Sequence, residues 1–262
     1  MKNLFLAALL IISITSCSSE PNSPTEEKPT KFEVALSPSS LNLQVDESAV
    51  VGINSQSPLN EIKWVWDGGN KSHSAYYGES LAEDIELYFG FPFPGNYPVA
   101  LEFTGVDGQV VKKQLNFKVV PGNTVQITAI EVKSFYKMGE AWDPEAPEAE
   151  RLADLIFALE KPQQTGFTEE RYSKKTWFIS DIHQNESSLS WNLSEKQLFL
   201  NPMMGFHFGM GDIDEGNMHE NLLLNQLSYF IELKNEISNR PETIELIDEE
   251  VDLHVTFHLT WP

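Results

Sequence analysis

The pattern that most constrains the fold is an alternation of short strand-like runs and turn residues between Phe32 and Val120. Runs such as EIKWVWDGG, DIELYFGF and QVVKKQLNFKVV are rich in β-branched and aromatic residues, and Gly, Pro, Asn or Asp separate them. Short strands at this spacing are typical of an antiparallel sandwich. We therefore expect a β-sandwich module over residues 32–121.

Two local signals in this region predict a buried face and a turn. Alternation within NYPVALEF places Tyr97, Val99, Leu101 and Phe103 on one side of a strand, as expected for residues that face a core. The segment VDGQ at 106–109 predicts a tight hairpin, because Asp-Gly tolerates the positive φ angles that such turns require.

The remainder of the chain, residues 122–262, also contains strand signals. TVQITAIEVKSF is strand-like, and EEVDLHVTFHLTW alternates between apolar and polar residues to the end of the chain. Segments 148–161 and 221–237 follow a helical apolar period as well; we expect a strand in the first and a helix or a mixture in the second. The fold class is thus mainly β, with two antiparallel sandwich modules in tandem. The second module is a sandwich with one or two helices or, alternatively, an α+β domain.

The first sixteen residues have the layout of an export signal, with a positive Lys2, an apolar run and the small residue Ser16. The run is too short to span a bilayer, which takes about 20 apolar residues. The only cysteine of the chain, Cys17, follows directly. Residues 17–31 contain no large apolar side chain and are predicted to be a disordered tether.

The tetrad Ile14-Thr15-Ser16-Cys17 resembles the lipobox of bacterial lipoproteins. The resemblance implies that the chain is cut before Cys17 and that the Cys17 thiol carries acyl chains. These chains would anchor the protein to a membrane. Because the next residue is Ser18 and not an acidic one, the resemblance also implies the outer membrane, with the protein facing the periplasm or the cell surface. A free thiol or an intermolecular disulfide is the alternative for this cysteine.

Two segments of the first module, WVWDGG (64–69) and FPGNYPVALEFTGVDG (93–108), resemble polycystic-kidney-disease (PKD) repeat domains. Gly68-Gly69 departs from that family's pattern, so a general immunoglobulin-like sandwich remains an alternative. Trp64 and Trp66 fall on one side of a strand. Such a pair could stack on sugars, but packing in the core is the interpretation we favour.

Two acidic segments, GEAWDPEAPEAERLADLIFAL (139–159) and FHFGMGDIDEGNMHENLLL (206–224), resemble the loops of C-two domains, which are calcium-dependent sandwiches. The resemblance implies Ca²⁺ as a ligand. It assigns five candidate metal ligands: Asp143, Asp154, Asp212, Asp214 and Glu220. The alternative is an acidic surface loop that holds no ion.

The net charge of −21 excludes a nucleic-acid partner, since nucleic-acid binding needs phosphate neutralisation by Lys and Arg. The sequence contains no G-x-S-x-G, no phosphate-binding glycine loop and no H-E-x-x-H, so we expect no catalytic site and no enzyme. The predicted role is binding or adhesion at the cell envelope, toward glycans or envelope proteins. An accessory subunit of an outer-membrane complex is the alternative; a hydrolase, less favoured, would need His219 beside Asp212 and Asp214.

Overall fold

The structure, a computed structural model, describes residues 31–66, 71–76, 85–163, 165–166, 173–214, 217–224 and 226–262. Cys17, the predicted signal, nearly all of the predicted tether, Gly68 and Gly69 lie outside the described residues. Residues Phe32–Pro262 group into one compact unit. In the part of the chain that is described, no helix has the length and apolar character needed to cross a bilayer.

Eight strands form the first sandwich within the described residues. They are β1 (Val34–Pro38), β2 (Asn42–Gln44), β3 (Ser48–Ser55), β4 (Leu59–Trp66), β5 (Lys71–Tyr76), β6 (Ile85–Gly90), β7 (Gly95–Gly105) and β8 (Val110–Val120). One sheet has the order β1-β3-β6, and the other has the order β2-β8-β7-β4-β5. The pairing of β2 with β8 is parallel, and the other pairings of these two sheets are antiparallel.

Beyond residue 121, the described part of the chain adds eleven strands. They are β9 (Val125–Ser134), β10 (Leu155–Gln163), β11 (Thr165–Gly166), β12 (Ser173–Ile179), β13 (Ser190–Asn192), β14 (Phe199–Leu200), β15 (Phe206–Asp214), β16 (Asn217–Asn221), β17 (Tyr229–Ile231), β18 (Thr243–Asp248) and β19 (Leu253–Thr260). One sheet is β13-β9-β19-β18 with β14 also on β9, and the other is β12-β10-β15-β16 with β17 also on β15. Strand β11 instead extends the first sandwich by pairing with β6. The predicted mainly β class with two antiparallel sandwiches is confirmed.

The alternation predicted for β7 produces the core of the first sandwich. Val99, Leu101 and Phe103 are buried, and Tyr97 packs against the same cluster. The predicted hairpin joins β7 to β8, and Gly108 has the positive φ of 80° that the turn needs. Both expectations for this segment are confirmed.

A second, separate hydrophobic core lies between the two later sheets. Phe206 and Phe208 of β15 each pack edge-on against Phe257 of β19, with ring centroids 5.4 Å apart. This is the arrangement that the aromatic quadrupole favours. The two cores correspond to the two predicted modules, while the boundary at 121/122 stays a prediction.

The segment 148–161 is a strand where we predicted one. A short 3₁₀ helix at Glu148–Glu150 precedes β10. The residues that enter the core alternate at a period of two, namely Ala153, Leu155, Phe157 and Leu159. This period outweighs the helical period because the strand packs between β12 and β15, with one face on the core.

Of the two expectations for 221–237, a helix or a mixture, the described residues show a mixture of strand and 3₁₀ helix and no α-helix. Strand β16 ends at Asn221, and β17 and a 3₁₀ helix at Lys234–Glu236 follow. Leu224 has a φ of 55°, and the side chain of Leu227 is 84% exposed, so both interrupt the apolar stripe of the would-be helix. Further short 3₁₀ helices in the described residues lie at Gln184–Glu186, Ser194–Lys196 and Glu249–Val251.

Candidate cation site at the acidic loops

Strand β15 carries the predicted Asp-x-Asp pair at its end. Phe206, Phe208 and Met210 face the core, and the alternation turns Asp212 toward the same side. The side chain of Asp212 is therefore enclosed, with only 1% of the residue exposed. A buried carboxylate needs a compensating partner, because its charge has lost the solvation of water.

The loop between β9 and β10 presents Asp143. The backbone N–H groups of Trp142 and Asp143 both donate to the Arg151 carbonyl, at 2.7 and 3.1 Å. The Nε of Arg151 donates back to the Ala146 carbonyl at 2.8 Å. These bonds close the loop on itself and fix the position from which the Asp143 carboxylate projects.

Three of the five predicted acids come together at one point. Asp143, Asp212 and Asp214 each offer one carboxylate oxygen, and these oxygens all lie within 4.8 Å of one another. Two oxygens that share a Ca²⁺ at 2.3–2.6 Å are at most about 5 Å apart, so this spacing fits one ion. We call these three side chains the acid cluster.

The other two predicted acids have different positions. Asp154 lies beside the cluster and ties the elements together: its N–H donates to Asp212 Oδ1 at 2.6 Å, and its Oδ1 accepts from the Asn185 N–H at 2.8 Å. Asp154 thus orients Asp212. The backbone of Glu220 on β16 lies opposite Asp212 in the strand ladder, while its side chain is outside the described part of the structure.

An open cavity of about 1020 Å³ adjoins the acid cluster. Asp143 and Asp214 line it, together with Glu145, Glu150 and Asp154. A concentration of carboxylates around one cavity makes a negative potential that attracts cations. The cavity is large enough to hold a hydrated ion and part of a ligand.

Asn185 is a candidate ligand that the sequence did not suggest. It lines the same cavity, and its backbone has the left-handed φ of 51°. Its side-chain oxygen is buried and accepts no hydrogen bond from the described residues. Amide oxygens are among the ligands that Ca²⁺ takes, and a buried oxygen needs a partner, which a bound cation would supply.

The surroundings of Asp212 disfavour its negative charge. Burial, with smaller contributions from Asp214, Asp143 and Asp154, raises the pKa of Asp212 from 3.8 to about 6, against the opposing hydrogen bond from the Asp154 N–H. Among the described residues, the charged groups that shift this pKa are all carboxylates. A bound cation would reverse the sign of the local field.

An apolar groove lies on the outer face of the β12-β10-β15 sheet. Its floor includes Gly209 and Gly211 of β15 beside Ala158 of β10, and its volume is about 380 Å³. The exposed side chains of Ile179 and Leu227 form its rim. Gly209 is required here, because a Cβ at this position would lie 2.9 Å from the Leu227 carbonyl oxygen.

The two tryptophans proposed for sugar stacking lie in or against the first core. Trp64 is 1% exposed and belongs to the core cluster, so it is not accessible to a ligand, and Trp66 packs against the same cluster. The core interpretation holds for Trp64, and a role for it in glycan stacking is wrong. The reason is that β4 lies between β5 and β7, with Ile62 and Trp64 on its inner face.

No protein-family model matches the chain, and no curated protein does. Among solved structures, dimeric latent PorU from Porphyromonas gingivalis is similar over 80% of this chain, with 12% identity and a TM-score of 0.29; the chain spans only 21% of PorU. A structure from a study of carbohydrate-binding modules of the β-sandwich superfamily is similar over 88% of this chain and 92% of its own, with 9% identity and a TM-score of 0.28.

A DUF4785 family protein from Legionella pneumophila is similar over 74% of this chain and 57% of its own, with 8% identity and a TM-score of 0.24. At these TM-scores the three likenesses do not bear on function.

Proposed function

We propose that this chain is a lipid-anchored cell-envelope protein with a non-catalytic, calcium-dependent binding role. The proposed localisation rests on the tetrad that ends at Cys17, because this residue would carry the acyl chains that insert into the outer membrane. The binding role rests on the second sandwich, whose acidic loops form the candidate cation site. The sequence carries none of the catalytic motifs sought above, which supports a role without chemistry.

The observation that carries the calcium proposal is the convergence of Asp143, Asp212 and Asp214 within 4.8 Å. In acidic loops that serve only as a solvated surface, we would expect the carboxylates to lie apart in water. Burying one carboxylate with two others beside it costs free energy, since like charges repel. Asn185 supports the proposal separately, because its buried amide oxygen has no hydrogen-bond donor among the described residues. A hard divalent cation satisfies both features at once.

The coordination chemistry also indicates which ligands fit. Ca²⁺ takes six to eight oxygen ligands. Three aspartates and one asparagine leave positions for water or for oxygens of a bound molecule. Glycan hydroxyls and the carboxylates of an envelope protein are both oxygen ligands of this kind, and the open cavity beside the cluster gives them access.

Calorimetric titration of residues 31–262 with Ca²⁺ tests the proposal. We expect one binding event per chain, with Mg²⁺ binding more weakly because it demands a tighter octahedral site. Asp212→Asn combined with Asp214→Asn should abolish the heat. Asp181→Asn removes a carboxylate that is 85% exposed and should leave the heat unchanged. Absence of calcium heat in the wild-type protein, or equal heat in the double variant, would refute the proposal.

The apolar groove favours a second candidate function, that of an accessory subunit in an outer-membrane protein complex. Leu227 is 84% exposed and Ile179 is 58% exposed at its rim, which is unusual for large apolar side chains at a surface. Leu227→Asp should then release the protein from its complex in detergent-solubilised membranes while calcium binding persists. If native gels show the same complex with Leu227→Asp, this function is wrong.

A further inference from the structure

A buried charge lies where the two sandwiches meet. The Lys161 side chain on β10 has no exposed surface. Its Nζ lies 2.7 Å from Asp46 Oδ1, and it donates to the carbonyls of Phe199 and Pro92 at 2.9 and 3.2 Å. The same nitrogen lies over the Trp177 ring, 4.0 Å from the ring centroid. The three ammonium protons therefore have three oxygen acceptors, drawn from both sandwiches.

Asp46 is the partner of Lys161 in the first sandwich, and both of its carboxylate oxygens accept hydrogen bonds. It lies in the turn between β2 and β3, with a φ of 64°, and its side chain is 3% exposed. Its Oδ2 accepts from the Asn201 N–H of the second sandwich at 3.0 Å. Its own N–H donates to the Phe91 carbonyl at 3.3 Å. We call Lys161 and Asp46 the junction pair.

Other contacts interlock the same region. Strand β11 pairs with β6 of the first sandwich. The N–H of Asn123 donates to Gln44 Oε1 at 2.8 Å, and Gly122 beside it has a φ of 65°. Phe199 packs against the first core, and Phe93 packs against the second. Backbone pairing, side-chain hydrogen bonds and apolar packing thus all cross the junction.

The junction pair is a poor source of net stability. Burial lowers the pKa of Lys161 to about 8, and burial raises the pKa of Asp46, so the pair recovers only part of its lost solvation. Buried ion pairs of this kind add little net stability over apolar packing, yet removal of one partner is strongly destabilising. Their best-attested use is to exclude alternative arrangements.

The position of the junction pair relates it to the acid cluster. Asp154 immediately precedes β10 and Lys161 lies near its end, about 23 Å further along the strand. On the neighbouring strand, Asp212 pairs with Leu155, and His207 pairs with Glu160. The acid cluster is therefore at the end of this sheet remote from the first sandwich.

We propose that the junction pair of Lys161 and Asp46 fixes the orientation of the second sandwich on the first, so that the acidic loops are presented rigidly at the far end of the molecule. The orientation does not depend on calcium. Only its purpose, the outward presentation of the cation site, rests on the proposed function.

Electron–electron distance measurements on residues 31–262 test this. The fragment contains the compact unit Phe32–Pro262 and no cysteine, since Cys17 is the only one in the chain. Spin labels at Lys113→Cys and Thr243→Cys, two exposed positions in the first and second sandwich, report the distance between them. We expect one narrow distance for the wild-type junction, with or without calcium.

Two single variants and the double variant then distinguish the effect of the junction pair on orientation from its effect on stability. Asp46→Asn or Lys161→Met should each lower the Tm by about 6–20 °C, because each leaves one buried charge uncompensated. Asp46→Asn with Lys161→Met removes both charges and should restore most of the Tm, yet broaden the distance distribution. Lys112→Met breaks an exposed pair with Glu102 and should change neither quantity.

The proposal is overturned if the double variant keeps the narrow wild-type distance, or if the single variants leave the Tm unchanged. Because these measurements need no calcium, their failure is distinguishable from failure of the cation site. Conversely, a protein that binds no calcium can still show the narrow distance and its loss.

Discussion

Replacement of Asp212 by Asn should stabilise the calcium-free protein, although Asp212 is buried and hydrogen-bonded. The pKa of this carboxyl rises from 3.8 to about 6 in the folded state. Its charged form is therefore disfavoured by about 3 kcal/mol, and by about 2 kcal/mol once water in the adjoining cavity screens the charge. Asn has the same shape, and its oxygen can still accept the hydrogen bond from the Asp154 N–H.

The destabilising effect of the Asp212 carboxyl depends on pH. Below about pH 4 the carboxyl is protonated in both folded and unfolded chains, so it carries no penalty. Between about pH 4 and pH 6 the folded protein retains the proton and the unfolded chain loses it, so stability falls as pH rises. Above pH 6 the penalty is complete. Asp212→Asn should therefore raise the Tm by about 4–8 °C at pH 7.5 and change it little at pH 4.

Thermal unfolding followed by circular dichroism measures the effect, with EDTA present and then with calcium in excess. At 100 times its dissociation constant, calcium should stabilise the wild-type protein by about 2.7 kcal/mol and Asp212→Asn far less. The two proteins should thus exchange their order of stability when calcium is added. A lower Tm for Asp212→Asn in EDTA at pH 7.5, or the same Tm difference at both pH values, would refute the reasoning.

Three further predictions concern the same molecule. Calcium affinity should fall by up to about tenfold for each pH unit below 6, because Asp212 must lose its proton to bind; calorimetry at pH 5 and pH 7 would contradict this by giving equal affinities. Asn185→Ala should weaken calcium binding measurably while leaving the calcium-free Tm within about 3 °C of wild type, and unchanged affinity would remove Asn185 from the site. Cys17→Ser in the full chain should abolish labelling by radioactive palmitate and prevent processing, whereas a trimmed, unlabelled protein that still sediments with membranes would contradict lipid attachment.

The sequence predicted features that depend on local pattern. Alternation along β7 placed Val99 and Leu101 on the buried face, and Asp-Gly set the turn after it, because both follow from the geometry of one hairpin. The resemblance to acidic loops named Asp143, Asp212 and Asp214, which the structure brings together, although whether they hold calcium stays a prediction.

Features that depend on contacts distant in sequence could not be predicted in this way. Nothing in the local pattern of Lys161 distinguishes it from a surface lysine; its burial follows from the meeting of two sheets with the Asp46 turn. The same holds for β11, which pairs with β6 of the other sandwich. Asn185 lies in a short turn whose backbone conformation, rather than its sequence, brings its side chain to the cavity.

Terbium luminescence tests the central claim most directly, because Tb³⁺ binds calcium sites and is excited by a nearby tryptophan. Trp142 immediately precedes Asp143 of the acid cluster. We predict terbium emission on excitation of tryptophan, which calcium displaces and which Trp142→Phe abolishes without loss of calcium heat. Emission that persists in Trp142→Phe, or that calcium does not displace, would place the ion elsewhere and contradict the account.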